Sequence, residues 1–181
     1  MKYDRILIVV DMQKDFIDGA LGTAEAVAIV PAAAEKIRAW RAEGQPVIAT
    51  LDTHGTDYLS TREGRFLPVE HCIKGTSGWE LNGEIGSALG DGARLEKPSF
   101  GSMTLPNLVR ELTGAEGDGK GLSIELIGLC TDICVVSNAM ILKAAFPEAE
   151  MCVDSACCAG VTPEKHRAAL ETMASCQITI I

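Results

Sequence analysis

The stretch Gly128-Leu129-Cys130-Thr131-Asp132-Ile133-Cys134 decides the fold, because it carries the chain from an apolar run into a helical pattern. A buried strand that turns directly into a helix is the repeating unit of parallel α/β sheets. Cys134 falls in the first helical turn, where backbone N–H groups lack intrahelical partners and favour a thiolate. The stretch therefore predicts a strand–helix unit with a candidate nucleophile at the strand's carboxyl end.

Apolar runs and helical patterns alternate along the chain on both sides of this stretch. Pro31 at a helix start and Gly44 just past its end are typical of helix boundaries. The predicted strands cover residues 5–10, 47–51, 93–96, 122–127, 150–153 and 177–181, and the predicted helices cover residues 31–43, 105–112, 131–145 and 162–174. This alternation predicts an α/β fold whose six-stranded, mostly parallel sheet has helices on both faces and binds its ligand at the carboxyl ends of the strands.

The composition of the 181-residue chain is that of one globular domain, with 47% hydrophobic and 23% charged residues. A net charge of -9 and the lack of a basic run argue against a nucleic-acid or anionic-membrane partner and favour a small molecule. No apolar run approaches 18 residues and no leader pattern is present, so we expect a soluble, cytoplasmic protein. Seven scattered cysteines predict reduced thiols rather than a disulfide framework.

Three residues with complementary chemistry each follow a predicted strand. Asp11, Lys97 and Cys134 are far apart in sequence but should meet at the carboxyl edge of the sheet. Acyl transfer needs a nucleophile, a base and a positive or N–H group for the developing negative charge, and these residue types supply those roles. Taken singly, the aspartate could be a cap, the lysine solvated and the cysteine part of the core. Their shared position favours catalysis.

A second group of polar residues lies in the long polar segment at 52–78. Asp52 and His54 are two residues apart, so their side chains point to one face of an extended chain, and His71 returns later in the segment. A carboxylate with two imidazoles suits a borderline divalent metal. An isolated Asp-x-His is more often a turn with a surface histidine, so this pattern alone leaves both interpretations open.

The chain resembles the isochorismatase-like cysteine hydrolases over nearly its whole length. The resemblance is carried by residues 11–16, 70–78, 96–100, 128–135 and 154–156, with His166 in the last helix, in the order that the family uses. It implies one domain over residues 1–181 with a three-layer α/β/α Rossmann-like fold and an Asp11–Lys97–Cys134 triad. It also implies an oxyanion hole formed by the N–H groups of Cys130 and Cys134, and a cis peptide bond between Leu129 and Cys130. Cys130 stands where the family often has alanine.

Within this family, the chain is most similar to the nicotinamidase/pyrazinamidase branch. That branch binds a metal through an Asp-x-His pair and a later histidine, here Asp52, His54 and His71, and the metal contacts the pyridine nitrogen. Glu63 stands where some members supply a further ligand, although a solvated glutamate beside Arg62 and Arg65 fits the sequence equally well. The resemblance implies one divalent ion, with Zn²⁺ expected and Mn²⁺ or Fe²⁺ as alternatives.

The sequence therefore predicts hydrolysis of nicotinamide or pyrazinamide to the acid and ammonia through a cysteine thioester. Phe16, Leu21 and Phe100 are the expected walls for a flat ring, although core packing competes for each of them. One alternative is a related amidase acting on a carbamoyl or ureido compound. Another is a non-enzymatic metal or redox protein, suggested by seven cysteines and three histidines. We expect a homo-oligomer, because members of this family are commonly dimers or larger.

Overall fold

A computed structural model describes residues 2–181 and contains one six-stranded sheet in the order β3-β2-β1-β4-β5-β6. Every neighbouring pair in the described sheet is parallel. The strands are β1 Arg5–Val10, β2 Val47–Asp52, β3 Ala93–Lys97, β4 Ser123–Leu129, β5 Glu150–Ala159 and β6 Thr179–Ile180. The predicted parallel α/β sheet is confirmed, and β5 runs six residues beyond its predicted end at 153.

Seven α-helices surround this sheet in the described residues. They are α1 Lys14–Ile17, α2 Ala24–Ala42, α3 Arg62–Phe66, α4 Gly83–Leu89, α5 Leu105–Thr113, α6 Val136–Ala145 and α7 Pro163–Ser175. A 3₁₀ turn at Tyr58–Ser60 and a π-helical turn at Thr131–Val135 complete the helical elements. The sequence did not predict α1, α3 or α4, because each is short and lies in or beside a polar segment. None of the described helices is long and apolar enough to cross a membrane.

The two faces of the sheet pack against different helices. Alternate residues of β1 point to opposite faces, so Leu7 and Val9 pack with α2 and α4, whereas Ile6 and Ile8 pack with α5 and α6. Each layer of helices thereby buries one face of the sheet. The predicted three-layer arrangement is confirmed.

The predicted start of the second helix at Pro31 is wrong, because α2 begins at Ala24. Thr23 caps it with a side-chain oxygen that accepts from the N–H of Ala26 at 3.0 Å. Pro31 lies inside the helix, where proline removes one backbone hydrogen bond at a cost of about 3 kcal/mol. Burial of apolar residues along the helix, such as Ile37 and Trp40, offsets that cost. Gly44 ends the element with φ 71°, as its position predicts.

The seven cysteines are all free thiols, as their scattered spacing predicts. The five outside the nucleophile motif are expected to be small buried residues. Cys72, Cys157 and Cys158 are buried, whereas Cys152 and Cys176 are partly exposed. Burial raises the pKa of Cys157 to about 12, so this thiol keeps its proton at neutral pH. The buried thiols therefore act as small apolar side chains.

Candidate active site and metal site

The carboxyl edge of the sheet brings Asp11, Lys97 and Cys134 into contact. Asp11 directly follows β1, Lys97 is the last residue of β3, and Cys134 lies in the π-helical turn after β4. The Nζ of Lys97 lies 2.6 Å from Oδ2 of Asp11 and 3.5 Å from Sγ of Cys134. All three side chains are buried. The arrangement places a thiol, a carboxylate and an ammonium group in one water-poor cluster.

Asp11 is held by two neighbouring strands. Its backbone takes a left-handed conformation with φ 47°, and its N–H donates to the Thr50 carbonyl of β2 at 3.2 Å. The Thr50 hydroxyl donates to Oδ1 of Asp11 at 2.6 Å, while Lys97 pairs with Oδ2. The carboxylate is thus contacted at both oxygens, by Thr50 at Oδ1 and by Lys97 at Oδ2. A left-handed non-glycine residue is a strained state that functional sites often retain.

Burial and the negative charge of Asp11 disfavour the thiolate form of Cys134. Burial raises the pKa of Cys134 well above its usual range and the negative charge of Asp11 raises it further, whereas Lys97 lowers it. Burial also raises the pKa of Asp11, against the opposing effect of Lys97. The sequence-based expectation that the helix start favours a thiolate is therefore wrong, because desolvation outweighs the helix terminus. The thiol keeps its proton until a base removes it, and a buried carboxylate of raised pKa is a stronger base.

The turn that carries Cys134 is anchored to both following helices. The Thr131 hydroxyl and Nδ1 of His166, on α7, are 2.8 Å apart. The side-chain amide of Asn138, on α6, donates to the Cys134 carbonyl at 2.8 Å. Asp132 accepts from the N–H of Val161 at 2.9 Å, just before α7 begins. These contacts hold the backbone around the thiol, and π-helical turns are often found at functional sites.

The peptide bond between Leu129 and Cys130 is trans, as are all the described peptide bonds, so the predicted cis bond is wrong. Gly128, within β4, has an unusual backbone conformation with φ 118°. A Cβ at this position would lie 2.1 Å from the Val10 carbonyl oxygen of β1, so only glycine allows this approach. Cys130 then enters the π-helical turn in an extended conformation.

Asp52, His54, Glu63 and His71 converge beside the triad. Asp52 ends β2, Glu63 lies in α3, and one ligand atom from each of the four side chains lies within 4.8 Å of the others. Nε2 of His54 is 3.0 Å from Oδ2 of Asp52, and Oε1 of Glu63 is 3.7 Å from both imidazoles. Tetrahedral zinc with nitrogen and oxygen ligands spaces its ligand atoms by about 3.3 Å. Four of the donor pairs, at 3.0 to 3.7 Å, lie near that spacing, and the donor atoms have the chemistry that zinc prefers.

The surroundings of these donors favour a bound cation. The Nδ1–H of His71 donates to the Val69 carbonyl at 2.9 Å, which turns Nε2 toward the carboxylates, as in many metal sites. Burial raises the pKa of Glu63 and the charge of Asp52 raises it further. Burial also disfavours ionised Asp52, but hydrogen bonds with His54 and His71 outweigh it and lower the Asp52 pKa. Two partly desolvated carboxylates at close range repel each other unless a proton or a metal ion lies between them.

Lys97 joins the two groups. Its Nζ lies 3.3 Å from Oδ1 of Asp52 while it pairs with Asp11. Asp52 therefore presents one oxygen to the triad and the other to the imidazoles. The nucleophile and the metal group therefore adjoin each other through this lysine.

The expected ring walls lie at different depths. Phe16 is buried and its ring centroid is 5.4 Å from that of His71. Phe100 is 44% exposed after β3, and its carbonyl accepts from Asn138 at 3.2 Å. Leu21 is half-buried and packs against the core cluster beneath α2. Phe16 and Phe100 thus border the metal group and the nucleophile turn, respectively, whereas the contacts of Leu21 place it in the core.

Sequence reasoning missed three residues that shape this site, namely Gln13, Thr50 and Tyr58. Tyr58 is buried with its ring 4.7 Å from His54 and 5.0 Å from His71, and its hydroxyl donates to the Leu67 carbonyl. The sequence feature that could have indicated Tyr58 is its position as an aromatic residue shortly after the Asp-x-His pair in a polar segment. Thr50 carries no such signal, because it acts through a contact across strands. Gln13 lies in the motif at residues 11–16, but the motif indicated no role for its side chain.

Comparison with known proteins agrees with this geometry. The sequence profile described as the isochorismatase domain matches residues 5–181. A pyrazinamidase of Pyrococcus horikoshii in complex with zinc is 30% identical, with 99% of each chain covered and a TM-score of 0.82. A nicotinamidase/pyrazinamidase of Bacillus subtilis is 26% identical over 98% of this chain and 99% of that one, with a TM-score of 0.84. An N-carbamoylsarcosine amidase of Thermoplasma acidophilum is 28% identical over 98% and 95%, with a TM-score of 0.76. No curated protein sequence matches the chain.

Proposed function

This chain belongs to the isochorismatase family, and we propose that it is a cysteine-dependent amidohydrolase that converts nicotinamide or pyrazinamide to the acid and ammonia. The observation that carries the proposal is the shared contact of Lys97 with Asp11 and Asp52. It sets the thiol beside a four-donor metal group bordered by aromatic rings. Such a site can hold a flat heteroaromatic ring by one end and present its carboxamide to the thiol at the other.

In the first half of the reaction, Sγ of Cys134 attacks the carboxamide carbon while Asp11 takes the thiol proton. Asp11 then delivers that proton to the departing nitrogen, the carbon–nitrogen bond breaks, and ammonia leaves a thioester behind. The Lys97 ammonium orients Asp11 and offsets the negative charge that develops beside it. In this proposal the backbone N–H groups of Cys130 and Cys134 bind the oxyanion.

In the second half, water attacks the thioester carbon and Asp11 takes the proton of that water. The carbon–sulfur bond breaks, the thiol is restored with that proton, and the acid is released. Because Asp11 handles a proton in both halves, its raised pKa serves both acceptance and delivery.

We propose that Asp52, His54, Glu63 and His71 hold one divalent ion, with Zn²⁺ first among Zn²⁺, Mn²⁺ and Fe²⁺. When bound, the ion supplies a Lewis acid that anchors the ring nitrogen. Phe16 and Tyr58 limit the ring from the imidazole side, and Phe100 from the exposed side. Binding and orientation come from this end of the site, and bond cleavage comes from the triad.

A carbamoyl-compound amidase is the second candidate, because the similarity to the N-carbamoylsarcosine amidase is of the same order. Such a substrate has no ring nitrogen, so it leaves the four-donor group without a function. That group supports the proposal of nicotinamide and pyrazinamide over carbamoyl compounds.

Ammonia release from nicotinamide, pyrazinamide, benzamide and N-carbamoylsarcosine by the zinc-loaded protein tests the proposal. Benzamide is the matched control, because it has the same shape as nicotinamide without the ring nitrogen. We expect turnover of the first two amides, much weaker turnover of benzamide, and loss of that preference after chelation. Turnover of N-carbamoylsarcosine alone would replace the proposal with the carbamoyl amidase.

A further inference from the structure

Gln13 makes three side-chain hydrogen bonds that the reaction does not use, two of them buried and one partly buried. It lies between β1 and α1, and its side chain is fully buried. Its Nε2 donates to the carbonyl oxygens of Asp52 at 2.9 Å and Trp79 at 2.8 Å, and its Oε1 accepts from the N–H of Asp52 at 2.7 Å. Only a primary amide offers two donors and an acceptor in this arrangement. The side chain is therefore chemically specified.

The Gln13 side chain replaces the backbone hydrogen bonds that Asp52 loses where the ladder between β1 and β2 stops. The ladder between β1 and β2 stops at the pair Val10 and Thr50, because the chain turns away at Asp11. β2 continues to Asp52, which pairs with Lys97 of β3 on its other side. Without β1, the inner edge of Asp52 has no neighbouring strand. The Gln13 side chain bonds both the N–H and the carbonyl of Asp52 there, as a strand would.

The hydrogen bonds between the Gln13 side chain and the Asp52 backbone also determine where the Asp52 carboxylate lies. Fixing the backbone on both edges sets the direction in which the side chain leaves it. Oδ1 then lies 3.3 Å from Lys97 and Oδ2 lies 3.0 Å from His54. A shift of the backbone would change both distances together.

We propose that Gln13 is a positioning residue for the metal group, acting through the backbone of Asp52. The inference rests on the proposed function, in which Asp52 is a ligand. Groups that orient metal ligands typically change metal affinity by 10- to 100-fold when they are altered. Cys134 and Asp11 have their own supports in Lys97 and Thr50. Loss of the Gln13 amide should therefore weaken the metal group while sparing thiol reactivity.

The test compares Gln13→Glu with the wild-type full chain in two measurements. The substitution keeps the shape but removes both N–H donors, and it sets a carboxylate oxygen against the carbonyls of Asp52 and Trp79. Zn²⁺ affinity is measured by competition with a chromophoric chelator, and Cys134 reactivity by iodoacetamide alkylation of the metal-free protein. We expect affinity to fall about 10- to 100-fold and the alkylation rate to change less than about twofold. Gln13→Met, which fills the same space without charge, gives the same comparison if the glutamate variant does not fold.

Gln177→Glu is the control, because it makes the same chemical change at an exposed position before β6, at the opposite edge of the sheet. It should leave both measurements unchanged. Wild-type Zn²⁺ affinity in folded Gln13→Glu would overturn the inference alone, as would an alkylation rate that falls in proportion to affinity. A wild-type protein that binds no divalent ion would overturn the metal site of the proposed function as well, so the two failures are distinguishable.

Discussion

The Nζ of Lys97 lies 3.3 Å from Oδ1 of Asp52 and 2.6 Å from Oδ2 of Asp11. Two buried carboxylates therefore share one buried ammonium. Burial lowers the pKa of Lys97, but the negative charges of Asp11 and Asp52 raise it, so the lysine stays charged. Each substitution at this junction is expected to change a different part of the reaction.

Cys134→Ala should abolish ammonia release, by at least about 1,000-fold, because no other described thiol contacts Lys97. The loss of one sulfur should leave the fold intact by circular dichroism. Cys134→Ser should also be very poor, because its hydroxyl has a far higher pKa than a thiol and the triad has no histidine. Cys176→Ala, at a partly exposed thiol, is the control. Near-normal turnover by folded Cys134→Ala would refute the nucleophile assignment.

The acid limb of the pH–rate profile should belong to Asp11. The active form of the base is the carboxylate, so kcat/KM falls as pH drops through the folded-state pKa of Asp11. Burial raises that pKa, which places the limb above the ordinary aspartate range near 4. Asp11→Asn should lower kcat by about 100- to 10,000-fold with little change in KM. Asp18→Asn, at an exposed residue directly after α1, should keep the wild-type profile. A low-pH limb that persists unchanged in Asp11→Asn would exclude this role.

Lys97→Met should move the alkylation profile of Cys134 to higher pH. Lys97 lowers the thiol pKa, so removing its charge raises that pKa and slows alkylation at any fixed pH below it. The change also leaves Asp11 and Asp52 without their shared cation, which should destabilise the protein by about 3–5 kcal/mol in urea unfolding. Lys14→Met, at a more exposed lysine, serves as the comparison. An alkylation profile identical to wild type would contradict the role of Lys97.

Metal removal should affect substrate binding more than thiol reactivity. The protein should hold about one divalent ion per chain by elemental analysis, given one four-donor group among residues 2–181. A chelator should raise KM for nicotinamide while changing the alkylation rate of Cys134 much less. His54→Ala and His71→Ala should reproduce the chelated protein, whereas His166→Ala, outside the metal group, should keep the ion. If no ion is found and added Zn²⁺, Mn²⁺ or Fe²⁺ neither stabilises the protein nor aids hydrolysis, the carbamoyl amidase moves to first place.

Residue types at strand ends made much of this site predictable. Asp11, Lys97 and Cys134 could be grouped from sequence because the carboxyl ends of parallel strands meet at one edge. Residue chemistry grouped His71 with Asp52 and His54 but also left a surface histidine open, and the family resemblance decided for the metal group, because a return from a long loop has no periodic signal. The structure also brings Glu63 to that group, where the sequence left it undecided beside two arginines.

The errors have a common physical origin in packing that local sequence does not reveal. Pro31 has the appearance of a helix start, yet buried contacts extend α2 beyond it in the N-terminal direction. A thiol at a helix start should ionise easily, yet burial of Cys134 reverses that tendency. The sequence does not indicate a structural role for Gln13. Its role arises because β2 extends two residues beyond Thr50, the last residue that pairs with β1.

In the π-helical turn at Thr131–Val135, the number of residues in the turn, rather than the identity of a side chain, sets the direction in which the Cys134 thiol points. The N–H of Val135 donates to the carbonyl of Cys130, five residues back, at 3.1 Å, so this turn holds one residue more than an α-helical turn. Each residue of an α-helix advances about 100° around the axis. Deleting a single residue here would close the turn to α-helical geometry and rotate the thiol away from Asp11. A variant that keeps every catalytic side chain would thus lose its activity through the deletion of one residue.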